Sequence, residues 1–349
     1  MFYSRCIVAI QQKSFQEAIM KFETPSHLRR HSDYGVLIQR HSENPILTTT
    51  DWPYPVNSVF NPGAVRMGPG NEILLMARVE DRRGISHLCA ARSKDGVGDW
   101  IIDPQPTLVP DPINHPDEIW GIEDARVVHL PTLGRYGITY TAFSQGGPGV
   151  ALAMTKDFES FERFGMILPP EDKDAALFPR QFDDHWAMIH RPVGSSGNHH
   201  IWISFSPDLK HWGRFQVLIP AREGAWWDAR KVGLSPPPIE TEEGWLIIYH
   251  GVRTTASGSL YRLGLALLDL DDPTRVIYRG DEWIFGPIEI YERLGDVGEV
   301  VFPCGAVVMD DGETLNIYYG GADTCICLAT ARISELLEWL KHHHYEGLV

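Results

Sequence analysis

From residue 56 onward, short apolar runs with strand-like alternation recur between polar turns. The first set is Ala64–Arg66, a turn at Gly68-Pro69-Gly70-Asn71, Ile73–Val79 and His87–Arg92, closing on Ser93-Lys94-Asp95 near Trp100. The second is Ala125–His129, Tyr136–Phe143 and Gly149–Met154, closing on Thr155-Lys156-Asp157 with Phe158 and Phe161. The third is Leu177–Phe182, Trp186–His190 and His200–Phe205, closing on Ser206-Pro207-Asp208 with Trp212. The fourth is Val232–Ile239, Trp245–His250 and Tyr261–Leu268, with a corner at Asp269–Asp272. The fifth is Gly305–Met309, Leu315–Tyr319 and Cys325–Ala331.

The ends of the second strands, Val79, Phe143, His190, His250 and Tyr319, lie roughly 50–70 residues apart. Strand-rich units repeating at this interval, each hiding its faces against its neighbours, predict a β-propeller, and five copies predict five blades. A solenoid or a sandwich does not account for corner signals at this spacing. The expected fold is therefore all-β: a five-bladed propeller over residues 51–349, preceded by an extension of residues 1–50. Helix-like spacing of Phe15, Ala18, Ile19 and Phe22 predicts a helix over residues 14–22, and Ile333–Leu340 predicts a short helix after the last strand.

Composition narrows the partners. The chain has 349 residues, 43% of them hydrophobic, enough for a large core, and a formal charge of -15. That charge argues against a nucleic acid or an anionic membrane, which need a basic footprint. The five cysteines are scattered, and Cys325 and Cys327 are too close for a zinc knuckle, sharing one face of a strand. A reduced, cytoplasmic setting is expected. The apolar patch Cys6–Ile10 is short for a signal segment, and the run His342–His344 reads as an exposed tail.

Propellers bind ligands where the innermost strands converge, so polar residues at strand ends are the candidates. These are Asn61 and Arg78 in blade one, Glu123 and Asp124 in blade two, and His190 and Arg191 in blade three. Blade four supplies Asp228, Lys231 and His250, and blade five Phe302 and Asp323. Converging cations, here Arg78, Arg191, Lys231 and His250 with Lys173, make a cradle for phosphate or carboxylate. An ordinary glycosidase needs two carboxyl groups, one as acid and one as base or nucleophile. With phosphate as the nucleophile, one protein acid suffices. Metal and nucleophile motifs are missing: there is no HExxH, no CxxC pair and no GxSxG, and His199 and His200 face opposite ways on a strand.

At these residues the sequence resembles glycoside hydrolase family 130, the β-mannoside phosphorylases and related mannosidases. The resemblance runs from about Asn61 to Leu340. It is carried by NPGAV from Asn61, GIEDARV from Gly121, HRP from His190, GWLIIYHGV from Gly244, VVFPCGAV from Val300 and YYGGADT from Tyr318.

The resemblance implies inverting phosphorolysis of a β-mannoside to α-D-mannose 1-phosphate, without a cofactor and with inorganic phosphate as co-substrate. Asp124 matches the general acid, passing its proton through the mannosyl 3-hydroxyl. Arg191, Lys231, His250 and Tyr261, with Lys173, match the phosphate ligands. Asn61, Arg78 and Asp323 match residues that hold the terminal mannosyl unit, and Phe302 one that stacks near the acceptor. Glu123 and Asp228 complete the expected substrate-binding set. Ala125 stands where proline is common in the family. A homo-oligomer is expected on the same ground. Three other readings stay open: a β-mannosidase on the same scaffold, a non-catalytic sugar-binding propeller, and a glycosidase using Asp124, Asp228 and Asp323 as separate acid, base and auxiliary groups.

Overall fold

The computed structural model describes residues 36–68, 72–193, 199–256 and 258–344. The helix expected at 14–22 and the turn residues Pro69–Asn71 lie outside them. β1 (Ile38–Arg40) comes first but completes the last blade. Blade one is β2 (Ser58–Met67), β3 (Glu72–Glu80), β4 (Ser86–Ser93) and β5 (Ile101–Ile102). Blade two is β6 (Ile122–Leu130), β7 (Arg135–Ser144), β8 (Gly147–Thr155) and β9 (Glu162–Leu168). Blade three is β10 (Asp172–Phe182), β11 (His185–Pro192), β12 (Ile201–Ser206) and β13 (Gly213–Ile219). Blade four is β14 (Lys231–Leu234), β15 (Ile239–Thr241), β16 (Gly244–Thr255), β17 (Gly258–Leu268) and β18 (Val276–Arg279). Blade five is β19 (Val301–Val308), β20 (Thr314–Gly321) and β21 (Cys325–Arg332), with β1 paired to β21. Every pairing within the blades is antiparallel, so the fold is the expected five-bladed propeller.

The repeated corners have one physical cause. After the third strand of each of the first four blades, an aspartate side chain accepts hydrogen bonds from the backbone two and three residues on. Asp95 Oδ1 takes the amides of Val97 and Gly98 at 2.8 and 3.0 Å, and Asp157 Oδ1 those of Glu159 and Ser160 at 2.9 Å each. Asp208 and Asp269 do the same. Such side-chain turns satisfy the amides that the chain frees as it reverses.

The core lies between blades. Leu74, Met76, Ile122, Val127, Ile138 and Phe158 pack blade one on blade two, and further clusters join blades two to three, three to four and five to one. Between blades four and five, Val300, Phe302 and Cys304 pack with Tyr261. There the amphipathic helix α2 (Ile333–His342; the short α1 is Ile290–Arg293) packs Ile333, Leu336, Leu337, Trp339 and Leu340 against β17, β18 and β21. Close approach at the axis demands glycine: a Cβ on Gly63 would lie 2.5 Å from the Ala125 carbonyl oxygen, and one on Gly305 would lie 2.3 Å from the Ala64 nitrogen.

Two expectations are corrected. The strand expected over Val232–Ile239 is split into β14 and β15 by Ser235 and Pro236–Pro238, because proline has no amide to donate to the ladder. The histidine run is exposed only at His342, the last residue of α2. His343 stacks on Trp339 with ring centroids 4.9 Å apart, and His344 packs on Tyr278 at 4.6 Å. Cys325 and Cys327 do share a face, with sulfurs 3.8 Å apart. Among the described residues no helix is long and apolar enough to cross a membrane.

Candidate active site

The innermost strands of the first three blades break register at the same step. The breaks fall between Phe60 and Gly63 in β2, between Glu123 and Arg126 in β6, and between Lys173 and Ala176 in β10. Each bulge carries a residue with positive φ: Asn61 at 46°, Asp124 at 51° and Asp174 at 55°. Asn and Asp tolerate this left-handed region better than other non-glycine residues. Bulges re-aim side chains. Here three buried polar groups are set at equivalent steps of adjacent blades.

The first cluster surrounds Asp124. Its Oδ1 accepts from Asn61 Nδ2 at 3.0 Å and from Arg78 Nη1 at 3.2 Å. Arg78 also reaches Glu123 Oε1 through Nη2 at 3.2 Å, donates from Nε to Ser86 Oγ at 2.9 Å, and lies over the Phe60 ring. Burial alone pushes the Asp124 carboxyl up, but Arg78, Lys173, Arg126 and the Asn61 amide outweigh it and hold it below the usual carboxylate range. Asp323, in a left-handed turn after β20, has the opposite balance. Burial and then the Asp124 carboxylate push it up to about 7, against the pull of Arg78 and Lys173.

The second cluster surrounds Asp174. Its Oδ2 accepts from Arg191 Nε at 2.6 Å and lies 3.4 Å from His250 Nε2. Arg191 Nη1 is 2.8 Å from His199 Nδ1. Lys231 Nζ donates to Tyr261 Oη at 2.8 Å. Burial, then Arg191, lower the Lys231 amine to about 8, and burial lowers His250 to about 4, so its ring is neutral near pH 7. Phe302 packs against His250 with centroids 4.7 Å apart. Arg126, fully buried, ties the two clusters: Nη1 donates to the Asp124 carbonyl, Nη2 and Nε donate to the carbonyls of Leu234 and Ser235, and Nη2 lies 3.6 Å from Asp174 Oδ1. The Lys173 charge acts on Asp124 and Asp323 on one side and on Lys231 and Tyr261 on the other.

Most of the residues singled out in the sequence therefore converge. Asn61, Arg78, Glu123, Asp124 and Asp323 form an acid corner, and Arg191, Lys231, His250, Tyr261 and Phe302 a cation corner, with Lys173 between. His190 and Asp228 are the exceptions: His190 Nδ1 pairs with Asp172 Oδ2 at 2.6 Å. The Asp228 carboxylate, itself fully buried, accepts from Arg222 Nη1 at 2.9 Å, Arg279 Nη2 at 2.7 Å and Tyr249 Oη at 3.1 Å, an ion cluster that leaves it no part in either corner. It preceded Lys231 in sequence, but the turn at Trp226–Arg230 directs it into blade four.

Asp174, Arg126 and His199 were not singled out as site residues. A signal for Asp174 existed: Lys173-Asp174-Ala175 repeats the acid-alanine step of Glu123-Asp124-Ala125 at the start of an innermost strand. Among the described residues no group of three or more His, Cys, Asp or Glu side chains is arranged to hold a metal ion.

The chain is similar to known proteins. A family model described as beta-1,4-mannooligosaccharide phosphorylase matches residues 27–342. A beta-1,2-mannobiose phosphorylase of Listeria innocua is 42% identical over 258 residues, 74% of this chain and 69% of the relative. A beta-1,4-mannooligosaccharide phosphorylase of Ruminococcus albus is 34% identical over 319 residues, 89% of this chain and 93% of the relative. The solved structure of a Listeria innocua beta-1,2-mannobiose phosphorylase in complex with beta-1,2-mannobiose superposes with a TM-score of 0.79 at 34% identity, covering 88% of this chain and 99% of that one.

Proposed function

The chain belongs to glycoside hydrolase family 130, and from that premise we propose that it cleaves a β-mannoside with inorganic phosphate, giving α-D-mannose 1-phosphate and a shortened sugar. The observation that carries this reading is the pairing of one buried carboxyl corner with a separate cation pocket of Arg191, Lys231 and Lys173 beside His250 and Tyr261. Hydrolysis gives no use for the cation pocket, whereas an anionic nucleophile needs cations to hold it. The relatives are named for β-1,2 and for β-1,4 linkages alike, so the substrate class is the β-mannoside.

In this reading phosphate sits on Arg191, Lys231, His250 and Tyr261, with Lys173 at its edge, and the terminal mannosyl unit lies on Asn61, Arg78, Glu123 and Asp323, with Phe302 toward the acceptor. A phosphate oxygen bonds to C1 as the C1–O bond to the leaving sugar breaks on the opposite face. Asp124 supplies the proton that the leaving oxygen takes up, through the mannosyl 3-hydroxyl. Its lowered pKa in the free protein rests partly on Lys173. A phosphate dianion beside Lys173 offsets that pull and raises the Asp124 pKa toward the range an acid needs.

A second reading is favoured by one observation: Asp323, pushed up to about 7, holds a proton below that pH where an ordinary carboxyl has lost it. In that reading Asp323 is the acid and Asp124 the charge that keeps it protonated.

The test is to incubate the protein with mannobioses of each linkage, with and without phosphate, and identify the released sugar. Phosphate-dependent formation of mannose 1-phosphate is the expected result. Equal release of free mannose in phosphate-free buffer overturns the reading in favour of hydrolysis.

A further inference from the structure

Asp174 is a buried charge that the proposed reaction does not use. It lies in a left-handed bulge, and its Oδ1 makes no hydrogen bond among the described residues, with Arg126 Nη2 3.6 Å away. Burying a carboxylate is costly, and this one stands beside a pocket that has to attract an anion. We infer that Asp174 is a positioning residue of the phosphate pocket, holding the Arg191 guanidinium and the His250 ring in the orientation in which they meet the anion; this inference rests on the phosphorylase reading.

The geometry is specific. Arg191 gives Nε to Asp174 and Nη1 to His199, so its fork is held at both ends. His250 is held from two sides, with Nε2 3.4 Å from Asp174 Oδ2 and Nδ1 3.4 Å from Ser235 Oγ. Space for this contact is reserved by Gly233 on blade four. A Cβ there would lie 2.5 Å from Asp174 Oδ2 and 2.5 Å from both Cε1 and Nε2 of His250. Pre-organised donors bind an anion without the entropic cost of collecting them at the moment of binding. That advantage offsets the repulsion between Asp174 and the phosphate.

The test compares wild type, Asp174→Asn and Gly233→Ala. It uses calorimetric titration with inorganic phosphate, steady-state kinetics at saturating β-mannoside, and thermal unfolding. Asp174→Asn is expected to raise the phosphate Kd and KM by about 10–100-fold, the scale of one charge-assisted contact, with kcat at saturating phosphate within a few-fold of wild type. Gly233→Ala keeps the charge but crowds the carboxylate and the imidazole, and is expected to weaken phosphate binding in the same direction.

The sign decides. Removing a negative charge from an anion pocket tightens anion binding by Coulomb's law alone, so unchanged or tighter binding in Asp174→Asn overturns the inference. A lower unfolding temperature with unaltered phosphate Kd assigns Asp174 to the scaffold and overturns it equally.

The pH profile is a further readout. Lys231 faces Arg191, Lys173, Asp174, Arg230 and Tyr261, and of these Asp174 supports its proton. In Asp174→Asn the alkaline fall in phosphate affinity is expected to begin below its wild-type position near pH 8. A limb left at its wild-type position shows that the Asp174 charge does not reach Lys231 and counts against the inference. If wild type binds phosphate but cleaves β-mannosides without it, the phosphorylase reading fails while the binding data still decide the role of Asp174. If wild type does not bind phosphate, both fail.

Discussion

Asp124 and Asp174 stand at the same step of adjacent blades, each buried and each the left-handed residue of a bulge in an innermost strand. Their neighbours differ. Asp124 shares Arg78 with Glu123 and has a second acid, Asp323, close enough to be pushed up to about 7. Asp174 has no acid among its strongest influences; Arg191, His250 and Arg126 converge on it and hold it well below the usual range. One local device thus serves two ends. In the acid corner a surplus of carboxyl groups leaves a proton to be placed. In the cation corner one carboxylate arranges a surplus of positive groups. A single backbone feature, repeated by the propeller, sets a buried carboxylate among other acids or among cations according to what the neighbouring blades present.

The comparison is broken most directly at Asp124. Asp124→Asn keeps the size and the Asn61 contact but cannot deliver a proton, so kcat is expected to fall by about 10²–10⁴-fold with thermal unfolding nearly unchanged. Turnover measured beside Asp323→Asn settles which carboxyl is the acid. Near-normal kcat in Asp124→Asn with collapse in Asp323→Asn reverses the assignment.

Asp228 sharpens the contrast as a carboxylate outside both corners. Asp228→Ala strands Arg222, Arg279 and the Tyr249 hydroxyl, and is expected to cost about 3–5 kcal/mol of stability. Urea unfolding measures this. The folded fraction should keep the wild-type phosphate KM, and a raised KM would place Asp228 in the site after all.

In the cation corner, Arg191→Ala or Lys231→Ala is expected to raise the phosphate KM with a loss of about 1.5–3 kcal/mol in binding. Initial rates over a phosphate series check it. Wild-type phosphate dependence in both variants would remove the pocket from the mechanism.

Stability against pH gives a further comparison, in which the corners have opposite signs. Asp323 is a carboxyl with a raised folded-state pKa, so the fold binds the extra proton between roughly pH 4 and 7, and its contribution to stability falls as pH rises through that window. Lys231 has a lowered folded-state pKa, so the unfolded chain binds the proton more tightly between about 8 and 10.5, and stability rises with pH there. Denaturant unfolding of Asp323→Asn and Lys231→Met across pH should flatten the first slope and the second respectively. An unchanged slope in either variant refutes the corresponding shift.

Much of this protein was readable from the chain. Alternating apolar runs, each closed by an aspartate turn, determine strands and corners locally, and their repetition determines the propeller, because each blade can hide its faces only against another blade. The Glu-Asp and His-Arg pairs at strand ends marked Asp124 and Arg191 for the same reason: a polar residue at the inner end of an apolar strand has the axis to face.

What the chain could not show depends on partners distant in sequence. β1 joins β21 from the opposite end of the chain. β10 begins at Asp172 rather than Leu177 because the bulge at Asp174 interrupts its alternation, which hid the second carboxylate. Asp228 and Lys231, three residues apart, were read as neighbours in one site. The turn between them sends the carboxylate into blade four, and the pairing of β14 with β16 sets the amine beside Tyr261. Residue type and spacing fix which groups can ionise and which face of a strand they take. Which charges meet, and so which carboxyl keeps a proton, is settled only when five sheets close around one axis.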